Sequence, residues 1–195
     1  MANLIAQMNV EVANLAQSVG QSLVQIQNGG HGSGAGTIWH SDGLILTNAH
    51  VVSSCSLRVT LPDGKVVPAR LLARSKGLDL AALSVDGSDL PTIALGDSKE
   101  LKPGQWVLAM GHPWGVTGAV TTGVVIDVGV PHELSTLGRE LIQVDLPLRP
   151  GYSGGPLVDV QGRLVGINTM MAGPEVGLAV PVHEVKRFLR SGLKT

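Results

Sequence analysis

The chain has 195 residues, of which 44% are hydrophobic and 15% charged, and its formal net charge is −1. This balance excludes a disordered or heavily solvated chain. Lys and Arg form no dense run, so nucleic acid is not an expected partner. No apolar stretch is long enough to span a bilayer, and the single cysteine, Cys55, excludes an intrachain disulfide.

The predicted elements begin with a helix over 9–20, where apolar residues recur at helical spacing and Gly20 ends the pattern. Short extended segments then follow one another, separated by turn signals such as the one at 62–64. The predicted strands cover 23–27, 35–39, 44–47, 57–61, 66–73, 80–85, 106–111, 119–127, 141–145, 156–159, 163–170 and 177–181. A second amphipathic helix is predicted over 182–190.

Many short strands with helices only at the ends predict an all-β architecture. A polar segment containing Pro103 and Gly104 lies near the midpoint, with roughly six predicted strands on each side. We therefore expect one unit built from two β-barrels. The first, with the N-terminal helix, covers about 1–96, a linker covers about 97–104, and the second, with the C-terminal helix, covers about 105–195.

Three segments carry residues suited to nucleophilic catalysis. His50 follows a predicted strand, and Asp79 opens an otherwise apolar strand, where an isolated charge needs a hydrogen-bonded partner. Ser153 lies in a turn with glycines on both sides, which lets the backbone expose the hydroxyl. Each feature alone also fits an ordinary structural role: a core histidine, a strand cap or a plain turn.

Together the three residue types form a catalytic set. A serine hydroxyl needs an adjacent base, and neutral imidazole can take its proton and later deliver it to the leaving group. A carboxylate on the other ring nitrogen orients the imidazole. Backbone N–H groups of Gly151 and Ser153 are the candidates for an oxyanion hole. The order His50, Asp79, Ser153 differs from that of α/β-hydrolases, in which the acid and the histidine follow the serine.

The motifs around these residues resemble the HtrA/Deg branch of trypsin-like peptidases, over about 19–189. They are TNAHVV at 47–52, DLA at 79–81 and GYSGGP at 151–156, with supporting phrases at 34–38, 162–169 and 177–181. The resemblance implies two six-stranded antiparallel β-barrels with the active site in the cleft between them. It also implies an ATP-independent endopeptidase of protein quality control, which acts on unfolded or extended polypeptides and needs no cofactor or metal.

The resemblance places Leu148, Met170 and Met171 at the primary specificity pocket. All three are apolar, which predicts cleavage after medium aliphatic residues, although the methionines also suit a core-filling role. Thr169 is expected to donate its hydroxyl to Asp79 as a supporting contact. The edge near 170–173 is expected to pair with an extended substrate by strand addition.

The sequence departs from the family pattern in several places. Tyr152 stands where the family usually has Asn, and the segment before Gln27 has no Phe, Tyr or Trp of the kind on which the family's trimer rests. A homo-oligomer stays open, but this departure does not favour a trimer. We expect a protease domain without a PDZ domain and without a signal peptide. The resemblance implies an extracytoplasmic location if a leader was removed, and otherwise a cytoplasmic one.

Two other functions stay open. One is a catalytically weak or silent protease fold that binds peptides or acts as a chaperone-like module. The other is an esterase that uses the same nucleophile.

Overall fold

A computed structural model describes residues 2–29, 33–52, 56–131, 138–173 and 175–193. Cys55 lies outside these ranges. The elements are α1 (Ala2–Gly20), β1 (Leu23–Asn28), β2 (Ser33–His40), β3 (Leu44–Thr47), β4 (Leu57–Thr60), β5 (Val66–Ser75), β6 (Leu80–Val85), β7 (Trp106–Gly111), β8 (Ala119–Gly129), β9 (Leu141–Asp145), β10 (Pro156–Asp159), β11 (Leu164–Gly173), β12 (Val176–Pro181) and α2 (Val182–Gly192). No helix in the described part of the chain has the length and apolar character that crossing a membrane requires.

The strands close into two antiparallel barrels of six strands each. The first barrel runs in the order β1-β2-β3-β6-β5-β4 and the second in the order β10-β11-β12-β9-β8-β7. Because each barrel is closed, none of these strands has an edge that is unpaired along its whole length. The predicted all-β fold of two six-stranded barrels is confirmed.

The two barrels share an apolar core. Each barrel has its own cluster of buried Val, Leu and Ile side chains. A third cluster joins Leu46 and Leu80 of the first barrel to Leu108 and Leu178 of the second, and Phe188 of α2 packs into it. The helix α2 touches β5 and β6 as well as β11 and β12, so it covers the junction between the barrels.

The helix α1 is longer than the sequence pattern predicts. It starts at Ala2 rather than at residue 9, and its first turns leave Leu4, Ile5 and Met8 exposed. No apolar face is buried there, so periodicity gives no signal for the first two turns. The helix continues because Ala, Leu, Gln and Met are good helix formers.

Candidate active site

A cleft of about 750 Å³ runs between the barrels. His50 and Asp79 line it from the first barrel, whereas Ser153, Thr169 and Met170 line it from the second. The structure therefore brings the three residues of the expected catalytic set to a single cleft, although 29 residues separate His50 from Asp79.

Two hydrogen bonds join His50 to Asp79. The His50 ring nitrogen Nδ1 lies 2.8 Å from Asp79 Oδ2, and the His50 backbone N–H donates to Oδ1 at 3.1 Å. His50 sits in the turn after β3, and Asp79 immediately precedes β6, which pairs with β3. Strand pairing thus sets the distance between them. With Nδ1 bonded to the carboxylate, Nε2 is left as the proton acceptor.

Asp79 is 7% exposed, and both its carboxylate and its backbone carbonyl accept hydrogen bonds. Its backbone adopts a left-handed φ of 54°, which is uncommon for a residue with a side chain. The Asn48 side chain donates to its carbonyl at 2.9 Å. Burial alone would raise the pKa of the carboxyl, but hydrogen bonds from His50 and Thr169, with the charge of His50, outweigh it and hold the pKa below its ordinary value.

Thr169 touches both Asp79 and Ser153. Its hydroxyl Oγ1 donates to Asp79 Oδ2 at 2.6 Å, and its backbone carbonyl accepts the Ser153 hydroxyl at 2.8 Å. Within the described ranges, no hydrogen bond joins Ser153 Oγ to His50. The hydroxyl is therefore hydrogen-bonded to the Thr169 carbonyl. The Ser153 side chain must rotate about its Cα–Cβ bond before the hydroxyl can bond to the imidazole.

The turn that carries Ser153 requires glycine. A Cβ on Gly154, whose φ is 86°, would lie 2.1 Å from the carbonyl oxygen of Ala35. A Cβ on Gly151 would lie 2.5 Å from the carbonyl oxygen of His112. Both distances are far below ordinary contact, so only glycine lets the turn approach the neighbouring backbone this closely.

The same turn presents two backbone donors. Tyr152 N–H donates to the Arg149 carbonyl at 3.0 Å and closes a turn around Gly151, whose φ of 106° fits the positive φ of a type II turn. The Gly151 carbonyl accepts from His112 N–H at 2.9 Å. The N–H groups of Gly151 and Ser153 have no partner among the residues that the structure describes. Both N–H groups are therefore candidates for binding a ligand oxygen.

The predicted pocket residues all line the cleft. Leu148 is 8% exposed, and its backbone N–H lies 3.0 Å from the sulfur of Met171. Met170 is 38% exposed. Apolar side chains therefore cover this part of the wall, and Asp79 is the sole carboxylate among the described residues that line the cleft.

Tyr152 lies neither in the cleft nor outward toward solvent. Its side chain is buried in the core of the second barrel, among residues that include Ala109 and Leu157. Burial raises the pKa of the phenol, and the charge of Arg149 opposes this. The ring points inward because burying a large apolar surface stabilises the barrel. The departure from Asn therefore leaves the cleft unobstructed.

Arg139 is a cleft residue that the sequence analysis missed. It is 6% exposed, lines the cleft and donates from Nη1 to the Gly77 carbonyl at 3.1 Å. The contact joins a loop of the second barrel to the turn before Asp79. No spacing could have revealed it, because the acceptor is a backbone carbonyl 62 residues away.

A second polar cluster lies at the start of α2, outside the cleft. Ligand atoms of Glu140, His183 and Glu184 lie within 4.8 Å of one another. His183 bonds to Ser98 at 2.8 Å and to Glu140 at 2.9 Å, and Glu184 pairs with Arg187. Protein partners account for both ring nitrogens, and the Glu184 carboxylate has an ion-pair partner in Arg187, although its Oε2 accepts no hydrogen bond in the described part of the chain.

With this geometry in view, comparisons with known proteins agree on the family. Residues 34–167 match the family model of the trypsin-like peptidase domain. The chain is 38% identical over 162 residues to the putative serine protease HhoB of Synechocystis, which covers 78% of this chain and 38% of that protein. It is 41% identical over 159 residues to the probable periplasmic serine endoprotease DegP-like of Halomonas elongata, covering 76% of this chain and 32% of that protein. The chain thus spans about a third of the length of these curated relatives.

Solved structures give the same result. The HtrA-type protease AlgW with tripeptide superposes with a TM-score of 0.87 at 31% identity, covering 93% of this chain and 63% of that one. The serine endoprotease from Yersinia pestis superposes with a TM-score of 0.83 at 28% identity, covering 92% of this chain and 66% of that one. Sequence, fold and cleft agree, and the chain belongs to the trypsin-like peptidase family, in its HtrA/Deg branch.

Proposed function

We propose that this chain is a serine endopeptidase with Ser153 as nucleophile, His50 as general base and Asp79 as the carboxylate that orients His50. The observation that carries the proposal is the hydrogen-bonded row of His50, Asp79 and Thr169 beside Ser153 in one cleft. Such a row supplies the base and the orienting acid that a serine hydroxyl needs.

In the first step the Ser153 hydroxyl leaves the Thr169 carbonyl, turns toward His50 and gives its proton to Nε2 while Oγ attacks the substrate carbonyl carbon. The oxygen of that carbonyl becomes an oxyanion, which the N–H groups of Gly151 and Ser153 bind. In related chemistry each such donor lowers the activation free energy by roughly 3 kcal/mol. The ionised Asp79 stabilises the imidazolium that forms.

In the second step the imidazolium gives its proton to the leaving amine, the peptide C–N bond breaks and an acyl-enzyme stays on Ser153. Water, activated by His50, then attacks the acyl carbon and releases the acid product. Thr169 has a positioning role, because its hydroxyl holds the Asp79 oxygen that bonds to His50.

The side chains of the cleft wall support a preference for the residue at which the substrate is cleaved. Leu148 and Met171 lie close together at the wall beside Ser153, and no carboxylate is available there to attract a basic side chain, within the residues that the structure describes. These contacts support cleavage after medium aliphatic residues. An extended or unfolded polypeptide fits a cleft of this kind, because main-chain pairing with a strand edge requires an extended partner.

The assignment is tested by labelling with a fluorophosphonate probe and by digestion of unfolded casein, with a folded protein of similar size for comparison. We expect one label per chain, on Ser153, and selective loss of casein. Mass spectrometry of the casein fragments should place most cleavages after Val, Ile, Leu or Ala.

The control is Ser153→Ala, which should keep the fold and lose both labelling and turnover. Casein cleavage that persists in this variant would overturn the assignment of the nucleophile. Cleavage mainly after Lys, Arg or Phe would overturn only the aliphatic specificity.

A second candidate function, a silent peptide-binding module, is favoured by one observation. The Ser153 hydroxyl is bonded to the Thr169 carbonyl rather than to His50. If this is the permanent state, the probe will label nothing while the protein still binds unfolded chains.

The relatives whose names call them periplasmic support an extracytoplasmic location for the whole protein. Fractionation of cells that express it tests this, and recovery in the cytosolic fraction alone would contradict it.

A further inference from the structure

The charge of the cleft differs from that of the whole chain. The formal net charge of the chain is −1, whereas the cleft is lined by the three cations Lys76, Arg139 and Arg149. The single carboxylate that lines it, among the described residues, is Asp79, which is engaged by His50 and Thr169. Among the described residues that line the cleft, positive charge is therefore in excess.

Arg139 has a buried donor with no acceptor. The residue is 6% exposed, and its Nη1 is used on the Gly77 carbonyl. Its Nε is buried and has no hydrogen-bond partner within the described ranges. Burial lowers the pKa of the guanidinium, which the Asp79 charge opposes. A desolvated cation is costly, and a carboxylate that enters the cleft would offset part of that cost through its charge.

Lys76 supplies a second cation next to the first. It precedes Gly77, the residue whose carbonyl Arg139 binds, and its side chain is exposed and makes no ion pair with the part of the chain that the structure describes. Lys76 comes from the first barrel and Arg139 from the second. Both residues line the cleft, and both adjoin Gly77, which precedes Asp79 by two positions in the chain.

The open edge of β11 shows how a substrate would reach this place. β10 pairs with β11 only as far as Ile167, and from Met170 onward β11 pairs with β12 alone. The other edge at Met170 and Met171 has no strand partner among the described residues, and both residues line the cleft. A substrate strand on this edge points alternate side chains to opposite sides. When the residue that precedes the scissile bond occupies the apolar wall at Leu148 and Met171, the second and fourth residues before the bond point away from that wall, toward the remaining cleft lining, which includes Lys76 and Arg139.

We propose that Lys76 and Arg139 form a subsite for an acidic side chain of the substrate, at the second or fourth residue before the scissile bond. The proposal rests on the proposed function, because it adds a specificity to that same cleft. It makes the preferred substrate an extended chain with an aliphatic residue at the cleavage point and Asp or Glu shortly before it.

The test uses fluorogenic peptides that are identical except for Glu, Gln or Lys at the second or the fourth position before the scissile bond. We expect kcat/KM for the Glu peptide to exceed that for the Lys peptide by roughly five- to tenfold at one of these positions. The ratio should shrink at about 0.5 M salt, because salt screens charges at this distance.

Three variants show whether the preference for Glu comes from Lys76 and Arg139 in particular. Lys76→Gln and Arg139→Gln should each bring the Glu/Lys ratio toward one. Arg149→Gln removes the same charge from the same cleft, but from a side chain that stacks 5.2 Å from the Trp114 ring, and it should keep the ratio. A ratio is measured within one preparation, so partial misfolding of the Arg139 variant does not affect it.

A ratio near one in the wild type at both positions would overturn the subsite. So would an equal fall in the Arg149 and Lys76 variants, since that outcome would reflect only the general field of the cleft. Binding of the same peptides to Ser153→Ala, measured by fluorescence polarisation, separates this proposal from the proposed function. A binding preference for Glu without hydrolysis by the wild type would keep the subsite and refute the peptidase.

Discussion

At the residue scale, the most constrained side chain is the Asp79 carboxylate, which accepts hydrogen bonds from two side chains and one backbone N–H. Its pKa in the folded chain lies below the ordinary value of 3.8. The folded state therefore gains stability relative to the unfolded chain above that value, and loses the gain as pH falls and the folded-state carboxylate becomes protonated.

We expect Asp79→Asn to flatten the acid limb of the stability profile. In the wild type the free energy of unfolding should fall as the pH drops below about 5 and continue to fall below 3.8, and in the variant this fall should be smaller. Denaturant unfolding at a series of pH values measures the difference. The same variant should lower kcat by about 10³- to 10⁴-fold, because the imidazole loses its orienting carboxylate.

Asp86→Asn serves as the matched control, because Asp86 is an exposed carboxylate that pairs only with Arg70 among the described residues. It should leave the acid limb and kcat close to those of the wild type. An unchanged acid limb in the Asp79 variant would show that the buried hydrogen bonds contribute no pH-dependent stability.

Residue chemistry explains how much of the site could be predicted. His50, Asp79 and Ser153 stood out because each contradicts its local context: a polar group next to apolar strands, or a serine between glycines. Arg139 could not be found this way, since an arginine in a loop is ordinary until folding buries it. The buried position of the Tyr152 ring could not be predicted either, because the sequence does not tell which side of a turn a ring will take.

At the element scale, the turn at 151–155 is held by strands of both barrels. Ala35 N–H of β2 donates to the Ser153 carbonyl at 2.9 Å, and Gly154 N–H donates to the Asn168 carbonyl of β11 at 2.9 Å. Ser153, the proposed nucleophile, is thus held in place by two strands that are distant in sequence. A backbone shift in this turn would move Ser153 Oγ and the two free N–H groups together.

Gly154→Ala tests this arrangement against a matched glycine. Gly154 and Gly64 both have a φ of 86°, but a Cβ would meet Ala35 O at 2.1 Å in the first case and nothing within 4 Å in the second. We expect Gly64→Ala to cost about 1 kcal/mol, the backbone strain alone. Gly154→Ala should cost roughly 3 kcal/mol, because overpacking is added to the strain.

Thermal or denaturant unfolding gives both values, and fluorophosphonate labelling gives the effect on the site. Labelling should fall sharply in the Gly154 variant and persist in the Gly64 variant. Equal costs in the two variants would mean that the close approach to Ala35 is not a constraint.

The elements also show where sequence patterns carry information and where they do not. Strands such as β6 and β10 were predicted at their observed bounds, because apolar runs end at turn residues. The first turns of α1 were missed because they bury no apolar face. The end of β11, at Met171–Gly173, extends beyond the predicted strand, since its pairing with β12 depends on a partner that local periodicity does not reveal.

At the scale of the whole molecule, the site requires both barrels at once. His50 and Asp79 belong to the first barrel and Ser153 and Thr169 to the second, so the hydrogen-bonded row exists only while the barrels are docked. The shared apolar cluster joins the two barrels and includes Leu46, Leu108 and Phe188. The shared cluster should therefore make the two barrels unfold together.

Phe188→Ala is the sharpest probe of that coupling. Phe188 is 4% exposed and packs from α2 onto the cluster that both barrels share. Its truncation should cost about 3 kcal/mol through lost burial and a residual cavity. Because the cluster belongs to both barrels, the variant and the wild type should each unfold in one transition.

Trp39 in β2 reports on the first barrel when Trp106 and Trp114 are replaced by Phe, and far-ultraviolet circular dichroism reports on both barrels. The two signals should coincide in denaturant, and a Trp39 transition separated from the circular dichroism transition would show that the barrels unfold independently and that the shared core does not couple them.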